Sequence, residues 1–415
     1  MKKYWLLLES YVFLWSNEKE ILIYNHLSGQ GYLYRNSAEL NPIVEQLKDK
    51  SNLYCTTICE EDLKKKTIGD FIADLRKNFC GDIFDTEFFP KKPVVIIPEL
   101  TVNEETYLKT ETVKRDVNRG VNAMSNLLEC TIHLTENCSL KCPDCNSVNK
   151  QLTWCCSEGN KVMTMQQVAS ILEQLQTASV HLVNFIGGDV FSYPHFDELM
   201  SELEKYHFNK KFYIDHRLIS KHINKINQIS KLGLNLVVLV NAIDTQIDDS
   251  ILSELENLSG VSVVFLISKP EEYQVAEEIT TKHNLNSKII PFFNSTNIDF
   301  FEEYVFQDLT DILDTKWGRS ELFSNMVINS NNFGKLTILP SGDSYANFNH
   351  SNIGNIFTQT IDDMVNNEMS SGKVWRNTRD SVKPCKDCIC KYLCPPISNY
   401  EYVTQRYNFC KLPKQ

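Results

Sequence analysis

The chain opens on short apolar runs broken by polar pairs. Residues 11–15, 21–24 and 31–34 are rich in β-branched and aromatic side chains and are separated by Asn17-Glu18 and Ser28-Gly29, so they read as strands joined by turns. Asn36 followed by Glu39 reads as a capping box that opens a helix running through Leu47. A second helix carries Ile68, Phe71, Ile72 and Leu75 at i, i+3, i+4 and i+7, and Gly81 suits its C-terminal stop. The run Lys92-Pro93-Val94-Val95-Ile96-Ile97-Pro98 is an extended segment fenced by prolines. A polar stretch of helical character, 103–119, leads out of this region.

From residue 129 to about 314 the pattern changes to regular strand–helix alternation. Apolar strand-like runs fall at 131–135, 182–186, 211–214, 236–240, 261–267 and 288–293, with amphipathic segments such as 165–176, 196–206, 222–232 and 273–283 between them. Repeated β–α units predict a parallel sheet with right-handed crossovers. Six of them predict an α/β fold with an open or partial barrel whose functional loops follow the strand C-termini. The last hundred residues lose this alternation. Residues 335–345 read as a strand and tight turn, a short helix lies near 361–367, and the tail beyond is loop-rich and dense in cysteine.

At 415 residues the chain is long for one core, so two or three domains are expected. The net charge of −11 argues against partners such as nucleic acid or an anionic membrane. No apolar stretch reaches the roughly 18 residues that span a bilayer. The segment Leu6-Leu7-Leu8 meets Glu9 too early for a secretory signal, so the expected location is cytoplasmic. Fourteen cysteines are many for such a protein, and they bunch. Cys55, Cys59 and Cys80 stand apart, six lie from Cys130 to Cys156, and five lie from Cys385 to Cys410. Bunching of this kind points to metal.

The sharpest signal is Cys138-Ser139-Leu140-Lys141-Cys142-Pro143-Asp144-Cys145, directly after the first strand of the alternating region. Thiolates spaced C-x3-C-x2-C on a loop can hold three irons of a cubane and leave the fourth open to a cosubstrate. Zinc is the competing reading, with Cys155, Cys156 or His133 closing its tetrahedron. After the second strand comes Gly187-Gly188-Asp189. Glycines allow close backbone approach, and a carboxylate there can accept from an ammonium group. The tail adds C-x2-C-x5-C over Cys385, Cys388 and Cys394, with Cys390 between them and Cys410 beyond. A zinc knuckle is the alternative there. Cys55 and Cys59 have no nearby third ligand in sequence and read as structural, as does His195 at a helix start.

The triplet and its placement resemble the radical S-adenosylmethionine superfamily. That resemblance implies a partial (βα)6 barrel and a [4Fe–4S] cluster on Cys138, Cys142 and Cys145. It also implies S-adenosyl-L-methionine chelated at the open iron and cleaved to a 5′-deoxyadenosyl radical, with Gly187, Gly188 and Asp189 as the cosubstrate-binding segment. Asp144 departs from the family, which usually has an aromatic residue there, and Asp189 replaces its glutamate. Asp215-His216-Arg217 follows the third strand where related maturases often show Thr-Asn-Gly. No Lys or Arg occurs between Lys231 and Lys269, where the family's carboxylate-binding arginine is expected, and the stretch begins Asn241-Ala242-Ile243-Asp244. Arg217 is the substitute cation.

Together with Gly342-Asp343-Ser344-Tyr345 and Ile353-Gly354-Asn355-Ile356, the tail resembles the SPASM extension of peptide-modifying radical enzymes. This implies at least one auxiliary iron–sulfur cluster on some of Cys385, Cys388, Cys390, Cys394 and Cys410. Residues 1–82 resemble the PqqD-like leader-recognition domain, a small winged-helix unit that captures a precursor peptide at its sheet edge. Closer still, 2–12 and 393–400 are similar to a Bacteroidales pseudo-radical-SAM/SPASM peptide-maturation family, whose members accompany a true radical maturase. The expected plan is a leader-binding domain over 1–82, a linker over 83–128, a radical-type barrel over 129–320 and a SPASM-like domain over 321–415. The leading expectation is an enzyme that modifies a ribosomally made precursor peptide. The alternatives are a non-catalytic partner of precursor peptide and a second maturase, and a zinc-stapled binding protein.

Overall fold

A computed structural model describes residues 2–98, 123–140, 142, 149–152, 159–241 and 249–412. The stretch 103–119, Cys145, Cys155, Cys156 and Ala242-Ile243-Asp244 lie outside the described residues.

The N-terminal unit holds two antiparallel three-stranded sheets. One is built from β1 (Lys3–Leu8), β5 (Cys55–Cys59) and β6 (Gly81–Asp85), with β1 in the middle. The other is the meander β2 (Val12–Ser16), β3 (Glu20–Asn25) and β4 (Gln30–Arg35). The three expected strands are present, and three further strands join them. Leu6-Leu7-Leu8 is the central strand of the first sheet, a role its short length concealed. Helix Lys66–Lys77 buries Ile68, Phe71, Ile72 and Leu75, the stripe its spacing predicts.

Two helix-end expectations are corrected. The first helix is Asn41–Lys48 and has no side-chain cap. Asn36 instead donates to the Asn17 carbonyl at 2.8 Å and to Asn41 Oδ1 at 3.0 Å, which ties the end of the meander to its first turn. The Pro42 ring suits a first-turn position, so the helix starts later than a capping box at Asn36 requires. Gly81 does not stop the second helix, which ends at Asn78. It opens β6, where a Cβ would overlap the Leu7 carbonyl oxygen.

The central body is a sheet of nine strands. Six run parallel and in sequence order: β7 (Glu129–His133), β8 (Leu182–Ile186), β9 (Asn209–Asp215), β10 (Asn235–Asn241), β11 (Val261–Ile267) and β12 (Ser287–Pro291). Runs such as Leu236-Val237-Val238-Leu239-Val240 are apolar on both faces because both faces are covered. Helix Met165–Gln176 starts at a reciprocal Thr164–Gln167 capping box and buries Val168, Ile171, Leu172 and Leu175 against the sheet. The tail contributes β13 (Lys335–Ile338), which adds in parallel to the free side of β7, followed by antiparallel β14 (Asp343–Tyr345) and β15 (Gly354–Asn355). The strand and turn expected at 335–345 are therefore present, and they make β7 an interior strand.

The meander uses both of its faces. Leu14, Ile21 and Ile23 point into the N-terminal core with Leu6, Val44 and Phe71. Phe13, Leu22 and Tyr24 alternate with them and pack on Ile312, Leu322, Ile389, Cys390 and Leu393 of the tail. The Tyr24 hydroxyl donates to the Thr315 carbonyl at 2.9 Å and accepts from the Trp317 amide at 2.7 Å, and the Trp317 indole donates to the Leu393 carbonyl at 2.7 Å. Leu22 is fully buried at this junction. Leu22→Ala is expected to lower the unfolding free energy by about 2–5 kcal/mol. Chemical denaturation followed by tail-tryptophan fluorescence checks this, with Glu18→Gln on the exposed turn as the neutral comparison.

Candidate functional site

The cysteine loop leaves β7 at its C-terminal end, and the other parallel strands end at the same edge. Cys138 and Cys142 are half-buried on this loop. The stem of the loop, Thr135–Asn137, lies directly against the turn that follows β8. Asp189 donates its backbone amide to the Asn137 carbonyl at 2.7 Å. Gly187 and Gly188 have φ values of +104° and +50°. A Cβ on Gly187 would stand 2.7 Å from the Thr135 carbonyl oxygen, and one on Gly188 would overlap the carbonyl of Asn137. The glycine pair thus serves the chain's own loop, because only glycine permits both this backbone conformation and this approach.

Asp189 is 3% exposed and sits at the centre of a polar cluster. Its Oδ2 accepts from the Ser192 hydroxyl at 2.6 Å and from Lys221 Nζ at 2.8 Å, and lies 2.8 Å from His222 Nε2. Burial alone would raise this carboxyl, but the hydrogen bonds from Lys221, Ser192 and His222 hold it below the usual range. The second oxygen, Oδ1, is buried and accepts from no group among the described residues. A buried carboxylate oxygen without a donor is costly and suits a ligand that brings one.

Arg217 closes the site from the end of β9. Its Nε and Nη2 form a fork on Asp215 at 2.8 and 2.7 Å, and Nη2 lies 3.3 Å from Cys142 Sγ. The Asp215 hydrogen bond raises the guanidinium further, and Cys142 adds to this, so it stays charged. A thiolate on a metal centre would be stabilised by this cation. The sequence singled out Arg217 as a substitute cation; the structure gives it to Cys142 and Asp215. His133, offered as a fourth zinc ligand, is buried within β7 and stacks near Phe348. Burial pushes its imidazole down to about 3, which keeps it neutral.

A second set of thiols gathers in the tail. Cys385, Cys388, Cys390, Cys394 and Cys410 all line one cavity of about 190 Å³. Arg379, 7% exposed, is buried beside them. It donates to Glu401 at 2.9 Å and to the Tyr407 carbonyl at 3.0 Å, and its Nη1 lies 3.4 Å from Cys385 Sγ. Burial raises Cys385 and Cys410, and pushes Cys394 up to about 12. Cys388 is brought down to about 7 by its hydrogen bond with Cys390, which is raised in turn. The sequence located these five cysteines, but nothing in its spacing picked out Arg379 or Glu401.

Thiols gathered round a cavity are the donor type of an iron–sulfur site, and the guanidinium beside them would offset thiolate charge. Among the described residues, no three His, Cys, Asp or Glu side chains form a group that could hold one ion. The tail thiols surround a volume rather than a point. The remaining described cysteines belong to the frame: Cys55, Cys80 and Cys130 are buried, and the Cys59 thiol donates to Asp62 at 2.8 Å. His195 stands at the start of helix Phe196–Leu203, with Nδ1 3.1 Å from Glu198, as its sequence context indicates.

Gly188→Ala is expected to cost about 1–3 kcal/mol, seen as a lowered melting temperature, since it is strained by conformation and by overlap. Asp189→Asn tests the linkage at the polar cluster. The depressed folded-state carboxyl contributes stability that is present above its unfolded value, about 3.9, and is lost as pH falls through the lower folded value. The stability gap between parent and variant should therefore be widest near neutrality and close below about pH 4. Denaturation midpoints across pH check this.

Residues 128–262 match a family described as a 4Fe-4S single cluster domain. The chain matches no curated protein. Among solved structures it is similar to Streptococcus suis SuiB, with TM-score 0.52 and 12% identity over 98% of this chain and 100% of that one. The same protein bound to S-adenosylmethionine matches with TM-score 0.51 and 12% identity, covering 98% and 100%. Bound to the precursor peptide SuiA it matches with TM-score 0.50 and 14% identity, covering 99% and 100%. The chain has a mixed α/β fold similar to that of these structures, and its residues 128–262 match a 4Fe-4S single cluster domain.

Proposed function

We propose that this chain is a radical SAM/SPASM peptide maturase, which modifies a ribosomally synthesised precursor peptide by 5′-deoxyadenosyl radical chemistry. One observation carries the reading. The Cys138 and Cys142 thiols follow the first parallel strand, and the turn packed on their loop presents a buried carboxylate oxygen, Asp189 Oδ1, with no donor among the described residues.

In this reading Cys138, Cys142 and Cys145 hold a [4Fe–4S] cluster, which supplies the electron that cleaves S-adenosylmethionine when both are bound. The chain's own residues prepare the place. Gly187 and Gly188 let the loop stem settle against β8. Lys221, Ser192 and His222 fix Asp189 so that Oδ1 keeps one direction and remains ionised for an ammonium group. Arg217, braced by Asp215, neutralises charge at Cys142. The six parallel strands form the partial (βα)6 barrel, and 129–320 is its domain. Residues 321–415 are the SPASM-like domain, with an auxiliary cluster among Cys385, Cys388, Cys390, Cys394 and Cys410. A cavity ringed by dispersed thiols suits a polynuclear centre better than one zinc ion, whose thiolates must meet at about 2.3 Å. Residues 1–82 are the leader-recognition domain of winged-helix type, joined through 83–128. SuiB has been crystallised with a precursor peptide; its fold likeness supports a peptide partner here.

A second reading has its own observation. Lys221 and His222 already fill one oxygen of Asp189, and Arg217 is engaged by Asp215 and Cys142. A chain whose cations and carboxylate satisfy each other suits a non-catalytic partner, of the pseudo-radical-SAM kind, that binds precursor peptide beside a true maturase.

Anaerobic reconstitution with iron and sulfide, followed by reduction with S-adenosylmethionine present, separates the two. The maturase reading predicts 5′-deoxyadenosine, abolished in a Cys138→Ala/Cys142→Ala/Cys145→Ala variant that keeps its tail iron. Cluster-loaded protein that yields none, even with precursor peptide and the second maturase added, establishes the partner reading instead. Zinc in place of iron after anaerobic isolation contradicts both.

A further inference from the structure

The cavity that holds the five tail thiols is not closed by the tail alone. Glu20 and Leu33, both from the N-terminal meander, are among its walls. Their placement follows from strand alternation. Glu20, Leu22 and Tyr24 share one face of β3, and Leu33 pairs with Leu22 across the β3–β4 ladder. Leu22 and Tyr24 are buried on the tail, so the same face brings Glu20 to the cavity.

The turn that carries Glu20 is tightly specified. The Asn17 side chain accepts from the Glu20 amide at 2.8 Å and from the Lys19 amide at 2.9 Å, while the Asn17 amide donates to the Glu20 carbonyl at 2.9 Å. Trp15, on the neighbouring strand, meets Tyr392 ring to ring at 5.8 Å. The carboxylate is thus delivered by a braced hairpin.

We propose that Glu20 is a positioning residue of the tail metal centre: the leader-side sheet supplies a wall and a negative charge that set the reduction potential of the cluster held by the tail cysteines. This rests on the tail being an iron–sulfur site. Among the described residues, the other charged groups lining the cavity are Arg379 and Lys391, and each is paired, with Glu401 at 2.9 Å and Asp380 at 2.6 Å. Removing Glu20 therefore changes the charge around the thiols. An anionic neighbour disfavours the more negative, reduced form of a centre, so its loss should make reduction easier. A consequence is that any movement of the meander on engaging a peptide would be felt at the tail cluster as a change in potential.

The experiment uses the full chain carrying Cys138→Ala/Cys142→Ala/Cys145→Ala, so that only the tail centre loads, reconstituted with iron and sulfide. Its midpoint potential is read by dye-mediated titration with electron paramagnetic resonance, with and without a Glu20 substitution. Glu20→Gln should raise the potential by about 59 mV, a tenfold change in a one-electron equilibrium. Glu20→Asp, which keeps the charge, should stay near the parent, and Glu18→Gln on the exposed turn should leave it unchanged. Equal potentials for Glu20→Gln and the parent would overturn the proposal while leaving the tail cluster intact. A matching shift in Glu20→Asp would assign the effect to packing and overturn it as well. Failure of the parent to retain iron in the tail would overturn it together with the tail-cluster reading.

Discussion

The site depends on how closely two stretches of backbone approach at one turn. Asn137, on the stem of the cysteine loop, accepts the Asp189 amide, and the intervening space admits no Cβ at Gly187 or Gly188. That contact welds the end of β7 to the end of β8 and so fixes where the first two thiols emerge. It also orients Asp189, whose three donors come from the segment after β8 and the helix after β9. Loop, carboxylate and cation then form one connected unit, because Arg217 at the end of β9 reaches back to Cys142.

A second constraint ties the ends of the chain together. The parallel addition of β13 to β7 makes the tail an extension of the central sheet, with the two cysteine regions on one framework. The N-terminal meander, apolar on both faces, is a layer between its own helices and the tail. Its burial explains why Phe13, Leu22 and Tyr24 are large and apolar on what would otherwise be the exposed face of a small antiparallel sheet. The arrangement also places the N-terminal unit against the tail thiols rather than apart from them.

The repeating part of the fold was legible in the sequence because its signals are local. Strands such as Val261–Ile267 and the helix Met165–Gln176 are bounded by their own apolar runs and caps, and the structure keeps those bounds. Features set by distant partners were not. Leu6-Leu7-Leu8 is too short to announce a central strand, and the parallel pairing of β13 with β7 joins residues some two hundred positions apart. At the site, the cysteine spacing and Gly-Gly-Asp could be read directly. The donors to Asp189 and the Arg379–Glu401 pair could not, since Lys221, His222 and Arg379 sit in segments with no motif of their own. The glycine pair was read for the right place and an incomplete reason: its closest neighbour is the chain's own loop.

The central claim is that the loop thiols and Asp189 form one pocket for an iron–sulfur cluster with a ligand bearing an ammonium group. The most direct measurement is electron–nuclear double resonance on the reduced, reconstituted protein with S-adenosylmethionine labelled with ¹⁵N at its amino group. The account predicts a nitrogen hyperfine coupling at the cluster of Cys138, Cys142 and Cys145, weakened or lost in Asp189→Asn. A reduced cluster at that site with no coupling to the labelled nitrogen in the parent protein would contradict it.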